Sequence, residues 1–180
     1  MNARRTLLRY SQSMTEYQAP WSKSLIVLSV LGGAVCLVAS FMLLSKPSSQ
    51  GFREAQLWVG LAPLVVVGGC ALFMVRGYSL TPDSVMVHRL LWSTQVSLAG
   101  LESAFLDPRA MRGSIRTFGN GGFFSFCGYF LNRKLGSYRA FVTDPRRAVV
   151  LKYSNRRTIV LSPDPPQAFV DMISQLRRGA

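Results

Sequence analysis

The chain carries one histidine, His88, so any Ser-His-Asp or Cys-His mechanism would have to run through it. It falls in the run Val85–Leu91, alternating with Met86 and Leu90 on one strand face, the setting of a structural or partly exposed histidine. The six carboxylates between Asp83 and Asp171 show no paired spacing suited to general acid–base work. The stretch Gly119-Asn120-Gly121-Gly122 lacks the Gly-Lys-Ser/Thr ending of a phosphate loop and opens no helix, so it reads as a turn. Cys36, Cys70 and Cys127 form no CxxC or Cys/His pattern, which argues against a disulfide framework and against zinc. No catalytic residue, cofactor or metal is expected, and the chain is not expected to be an enzyme.

The chemistry these residues do support is the recognition of anions. Lys and Arg number 21 against 8 Asp and Glu, a formal net charge of +13. Arg109, Arg112 and Arg116 lie on one stretch and Arg133, Lys134 and Arg139 on another. These six are the candidate headgroup- or partner-binding residues, since a basic side chain near an anionic membrane contributes about 1 kcal/mol. Arg146, Arg147, Arg156 and Arg157, at two turns, read as a solvated cationic surface. Between the first two groups, Phe118, Phe123, Phe124, Phe126, Tyr129 and Phe130 crowd together with four glycines. Exposed, such a segment would dip into lipid or bind a partner. The preferred reading folds it over a sheet as core.

These groups must be positioned by what precedes them. Ser24–Ser45 and Leu57–Val75 are apolar runs of 22 and 19 residues without Asp, Glu, Lys, Arg or His. As helices they reach roughly 33 Å and 28 Å, matching a hydrocarbon core of about 30 Å. The first run exceeds the ~7–15 residues of a secretory h-region, so it reads as an uncleaved anchor. Pro47, Ser48, Ser49 and Gly51 make the connection a turn and the two helices antiparallel neighbours. Basic residues mark the cytoplasmic side. Lys23, Arg76 and the Arg4/Arg5/Arg9 group therefore place both termini in the cytoplasm, and the expected location is the inner (plasma) membrane. Trp21, Trp58 and Tyr78 are candidate membrane-interface residues because amphipathic rings favour headgroup depth. Gly32, Cys36 and Ser40 recur every four residues, a candidate helix-packing stripe for the second helix or for another copy. Neither run holds an ionisable group that would mark a transport path.

Residues 1–76 thus form a cytoplasmic tail and transmembrane hairpin, and 77–180 a single small domain. Period-two runs appear at Tyr78–Leu80, Val85–Leu91, Gln95–Leu98, Glu102–Leu106, Ser114–Phe118, Tyr138–Thr143, Ala148–Ser154 and Thr158–Leu161, separated by Pro, Gly, Asn and Asp turns. Asp164 as cap, Pro165 at the first turn, and Phe169, Met172, Ile173 and Leu176 at helical spacing predict a C-terminal amphipathic helix. With almost no linker after Val75, the turn Leu91-Trp92-Ser93-Thr94 should return to the bilayer. Trp92 is there either an interfacial anchor or a sheet-packing tryptophan.

Arg116-Thr117-Phe118-Gly119, Gly121-Gly122-Phe123, Gly128-Tyr129-Phe130, Gly136-Ser137-Tyr138, Phe141-Val142-Thr143-Asp144, Val149-Val150-Leu151 and Ile159-Val160-Leu161-Ser162-Pro163 resemble the bacterial pleckstrin-homology (PH-like) domains, in particular those carried behind membrane helices. The resemblance implies a seven-stranded barrel or sandwich with a C-terminal helix, and no catalytic residues. The expected role is a docking or regulatory module for an anionic phospholipid or a membrane protein. The alternative is a scaffold that assembles as a homo-oligomer through its transmembrane helices or its PH-like domain. Nucleic acid is the less economical polyanion for a domain permanently held at a membrane.

Overall fold

A computed structural model describes residues 15–47 and 50–178. The Arg4/Arg5/Arg9 group, Ser48, Ser49 and Gly179 lie outside the described residues. The order is β1 (Thr15–Gln18), α1 (Lys23–Ser45), a 3-10 turn (Gln50–Phe52), α2 (Arg53–Leu72), β2 (Gly77–Leu80), β3 (Ser84–His88), β4 (Ser93–Ser97), β5 (Leu101–Leu106), β6 (Ile115–Phe123), β7 (Ser125–Asn132), β8 (Gly136–Val142), β9 (Val149–Tyr153), β10 (Thr158–Leu161) and α3 (Pro166–Arg178).

Both α1 and α2 are long and apolar enough to cross a membrane, and only 17% and 6% of their most apolar windows are buried. A soluble core helix would be mostly covered, whereas these present Leu28, Val30, Leu37, Phe41, Val59 and Val65 outward. Ser22 caps α1, its Oγ accepting from the Leu25 amide. At the far end Gln56 Nε2 donates to the carbonyls of Leu43 and Lys46, satisfying acceptors that a helix C-terminus leaves open. The helices close on each other at Gly60, where an added Cβ would meet Leu44 Cδ2 at 2.6 Å.

The strands form a four-stranded sheet, β1-β2-β3-β4, and a six-stranded sheet, β5-β9-β10-β8-β7-β6. All pairings are antiparallel except β8 with β10. One core lies between the sheets and under α3, built from Tyr78, Val85, Val87, Phe141, Leu151, Phe169 and Ile173 among others. A second, of Phe130, Tyr138, Ala140, Val150 and Val160, lies on the other face of the larger sheet beneath Ala110 and Met111. The central strands are buried on both faces, which is why Val149-Val150-Leu151 is continuously apolar.

Several expectations change. Residues 15–18 are not a free tail: Tyr17 pairs with Tyr78, and its ring meets Phe169 of α3 edge-on at 4.9 Å. The seven strands implied for 77–180 become nine there, β2 to β10, and β1 joins from outside it. Asn120-Gly121-Gly122 is not the turn but part of β6, because positive φ at Gly119 and Gly122 lets the strand bend without ending. Asp164 does not cap α3; its amide donates to Gln18 O and its carboxylate takes Arg147. Tyr78 presents no ring at the protein surface: it is fully buried, its hydroxyl donating to Phe141 O at 2.6 Å.

Candidate functional site

The β6–β7 hairpin turns at a single residue, Phe124, held at φ 64. A bulky side chain there costs about 1–3 kcal/mol, so its surroundings must hold it. The Phe124 amide donates to Ser29 Oγ of α1 at 2.9 Å, and Trp21 packs 6.1 Å from its ring. Ser125 Oγ donates to Phe73 O beyond α2 at 3.1 Å. Asn120 braces the loop from within, accepting from the Phe123 amide and donating to the Phe123 carbonyl. Phe123 lies over Gly32, where a Cβ would meet its ring at 2.4 Å. The small residue expected to admit a neighbouring helix therefore admits a phenyl ring of the sheet. Cys36, from the same stripe, faces a cavity, and Ser40 is buried.

That cavity, of about 880 Å³, lies between the hairpin helices and the larger sheet. Gly32, Val35 and Cys36 of α1 and Val66, Gly69 and Cys70 of α2 form one wall. Arg89, Arg116, Arg139, Cys127 and Tyr129 stand on the other, with Phe73 closing the end. Its floor is thin because Gly119 and Gly128 face each other across the ladder, each at positive φ. A Cβ at Gly128 would lie 2.2 Å from Phe118 O.

Arg89 is the decisive side chain. It is 7% exposed, and its Nε and Nη1 have no hydrogen-bond partner among the described residues. Its guanidinium lies 5.4 Å from the Phe73 ring, 5.5 Å from Trp92 and 5.2 Å from Phe141. Arg139 lies 4.7 Å from the same Phe141 ring and 5.7 Å from Tyr129. Ring faces attract a cation but accept none of its hydrogen bonds at full strength. No Asp or Glu lines the cavity, and none of the three arginines enters an ion pair among the described residues. Burial pushes the Cys127 thiol above its usual range, with Arg89 pulling the other way.

The six predicted basic residues do not share one patch. Arg116 and Arg139 line the junction cavity. Arg109 and Arg112 border a separate cleft with Met111, Phe126 and Phe130 on the outer face of the sheet, because the connection after β5 crosses over that face. Lys134 is taken by Asp107, and Arg133 is exposed on the β7–β8 turn. The aromatic segment divides as well. Phe130 is core as preferred, the tip pair Phe123 and Phe124 packs at α1, and Phe118 is 75% exposed.

Trp21 is half-buried against the tip, and Trp58 is exposed on α2. Trp92, on the β3–β4 turn, meets Phe73 edge-on at 5.2 Å. The short tether does bring that turn back to the end of α2. His88 sits between two serines, Ser79 Oγ at 2.6 Å from Nε2 and Ser93 Oγ at 2.9 Å from Nδ1, a sheet-bracing role. Sequence reasoning missed Arg89. Its signal was a charge placed between an apolar strand and Trp92, where the chain returns to the helices.

A family model described as a bacterial PH domain matches residues 76–177. The chain belongs to the bacterial PH domain family. No curated protein and no solved structure gives a match. The matched PH domain takes in Arg89, Arg116 and Arg139 but stops short of α1 and α2, so the apolar wall of the cavity comes from outside it. Strand β1, too, precedes the matched PH domain in the chain.

Proposed function

We propose that this protein is a membrane-anchored, non-catalytic binding module. Its hairpin crosses the bacterial inner membrane, both termini face the cytoplasm, and the PH domain is clamped against the cytoplasmic leaflet with the junction cavity as its ligand site. The observation that carries this reading is the joint. Thr15–Gln18, just before α1, pairs with Gly77–Leu80, just after α2, so the two ends of the hairpin meet in one sheet. The Ser22 amide also donates to Thr143 O at 3.2 Å. A hairpin tied at its base in this way supports placing the tail, the domain and the basic flanks Lys23 and Arg76 on the same side. The unpaired arginines facing apolar helix residues support a ligand that is anionic and membrane-borne. Self-association through Gly32, Cys36 and Ser40 is disfavoured because Phe123 already fills Gly32.

Reporter fusions to the full chain test the topology. A C-terminal fluorescent protein should fluoresce, a C-terminal alkaline phosphatase should be inactive, and an epitope inserted at Gly51 should be accessible only from outside. Release of the protein from membranes by alkaline carbonate, or the opposite reporter pattern, would overturn the proposal.

A further inference from the structure

We infer that the junction cavity seats one anionic phospholipid drawn from the surrounding bilayer, its phosphate on the Arg89 guanidinium and one acyl chain along the facing wall of α1 and α2. The inference rests on the reading that α1 and α2 span the membrane. Arg89 brings a guanidinium, a donor group with no acceptor of its own, to the cavity. At 7% exposure, with two of its donors unpartnered among the described residues, it lacks both a counter-charge and oxygen acceptors. A buried charge left in that condition is strongly unfavourable, and a phosphate oxygen pair supplies both missing elements in the planar geometry a guanidinium offers. Arg139, sharing the Phe141 ring with Arg89, adds a second positive charge on the same side.

The opposite wall separates a lipid from a free phosphate. Val35, Cys36, Val66 and Gly69 present no charge and no donor stronger than a thiol to an ion in water, but they match hydrocarbon. Val35 and Val66 are also 67% and 61% exposed, so the cavity wall is continuous with the outer, lipid-facing surface of the helices. Gly69 has nothing within 4 Å of a built Cβ, leaving open space between the helices and the sheet. The volume of about 880 Å³ falls in the range of small-molecule binding clefts. An aqueous anion would leave most of that wall empty, and an acidic peptide would have to enter beside exposed transmembrane residues.

The test uses the full-length protein, reconstituted in nanodiscs of phosphatidylcholine with or without phosphatidylglycerol and released for native mass spectrometry. One phosphatidylglycerol per chain should be retained in preference to phosphatidylcholine. Arg89→Met should lower retention about tenfold, the loss expected for a charge-assisted hydrogen-bonded contact. Arg89→Lys should fall in between, because it keeps the charge and loses the fork. Val35→Trp fills the apolar wall from an exposed helix position and touches no arginine, so it serves if Arg89→Met fails to fold; it should also expel the lipid. Equal retention of both lipids, retention unaffected by Arg89→Met and Val35→Trp, displacement by millimolar inorganic phosphate, or a co-purifying polypeptide in place of lipid would each overturn the inference. A protein that holds its membrane topology yet retains no lipid would overturn this inference alone and leave the proposed function standing.

Discussion

Arg146 and Arg147 leave β8 into a 3-10 turn where Asp144 awaits them: its carboxylate accepts from Arg146 Nε and Nη2, each at 3.1 Å, and lies 3.8 Å from Arg147 Nε. Arg147 also reaches Asp164. Arg139, on β8, and Arg89, just after β3, meet aromatic rings and the Cys127 thiol but no carboxylate among the described residues. Arg146 and Arg147, the more exposed, have carboxylate partners, and the buried Arg89 has none among the described residues. Elementary electrostatics would assign them the other way round, since a charge most needs a partner where water is scarce. The contrast separates cations that complete a fold from cations that the fold leaves incomplete.

The largest expected effect lies on the completed side. The Asp144 carboxylate is 5% exposed and also accepts from the Arg146 amide, capping the 3-10 turn. The ion pair itself contributes little because Arg146 is largely in water. Loss of the cap and of a buried acceptor together should make Asp144→Ala cost about 2–3 kcal/mol in chemical or thermal unfolding of the detergent-solubilised protein. A cost below about 0.5 kcal/mol would mean that these paired arginines are no more structural than the unpaired ones.

Tyr78 tests the same side by a different route. Its buried hydroxyl donates to Phe141 O and accepts from the Ser162 amide at 3.2 Å, tying β2 to β8 and to the residue that follows β10. Tyr78→Phe removes the group and should cost about 1–2 kcal/mol. Burial pushes the Tyr78 pKa from 10.0 up to about 12. A folded-state value above the unfolded one leaves stability unchanged below about pH 10 and erodes it as pH rises from there toward 12. Unfolding midpoints measured across that window should fall in the wild type and fall less in Tyr78→Phe. Parallel pH profiles would show that Tyr78 does not dominate the alkaline loss.

The hairpin, the strand-rich domain and the C-terminal helix were legible because each rests on local periodicity: uncharged runs, period-two alternation, and Phe169 and Ile173 at helical spacing. Strand β7 was not, since Phe126, Gly128 and Phe130 alternate with Cys127 and Tyr129 and both faces are covered, leaving no polar face to read. Strand β1 escaped because a four-residue strand draws its pairing from Gly77–Leu80, some 60 residues along the chain. The candidate site was half legible for a similar reason. Arg116 and Arg139 stood out as charges, but the pairing that sets Arg89 beside them runs through Phe141 and the end of α2. Local pattern carries no information about such a meeting.

On the incomplete side, Arg89→Met should change the stability of the lipid-free protein by no more than about 1 kcal/mol, in either direction. Three buried cation–ring contacts of about 2 kcal/mol each are lost, and a desolvation penalty of several kcal/mol on an unpaired buried charge is relieved, so the two effects largely offset. Unfolding of the delipidated variant beside delipidated wild type measures the difference. A loss as large as that of Asp144→Ala would place Arg89 with the structural arginines.

The smallest effect belongs to Arg116, the exposed member of the cavity group. Its side chain lies over Gly121, where a Cβ would stand 3.0 Å from Arg116 Cδ and 3.1 Å from Nη1. Those atoms belong to a flexible chain and Gly121 has no positive φ, so Gly121→Ala should move the guanidinium aside and shift stability by less than about 0.5 kcal/mol. A displaced charge that remains near the membrane surface still attracts an anionic headgroup, so phosphatidylglycerol retention should fall by about twofold or less. That modest fall, set beside the about tenfold fall for Arg89→Met, measures what burial adds to a cation. If Gly121→Ala weakened retention as much as Arg89→Met, exposed and buried unpaired arginines would be equivalent here, and burial would carry no functional meaning.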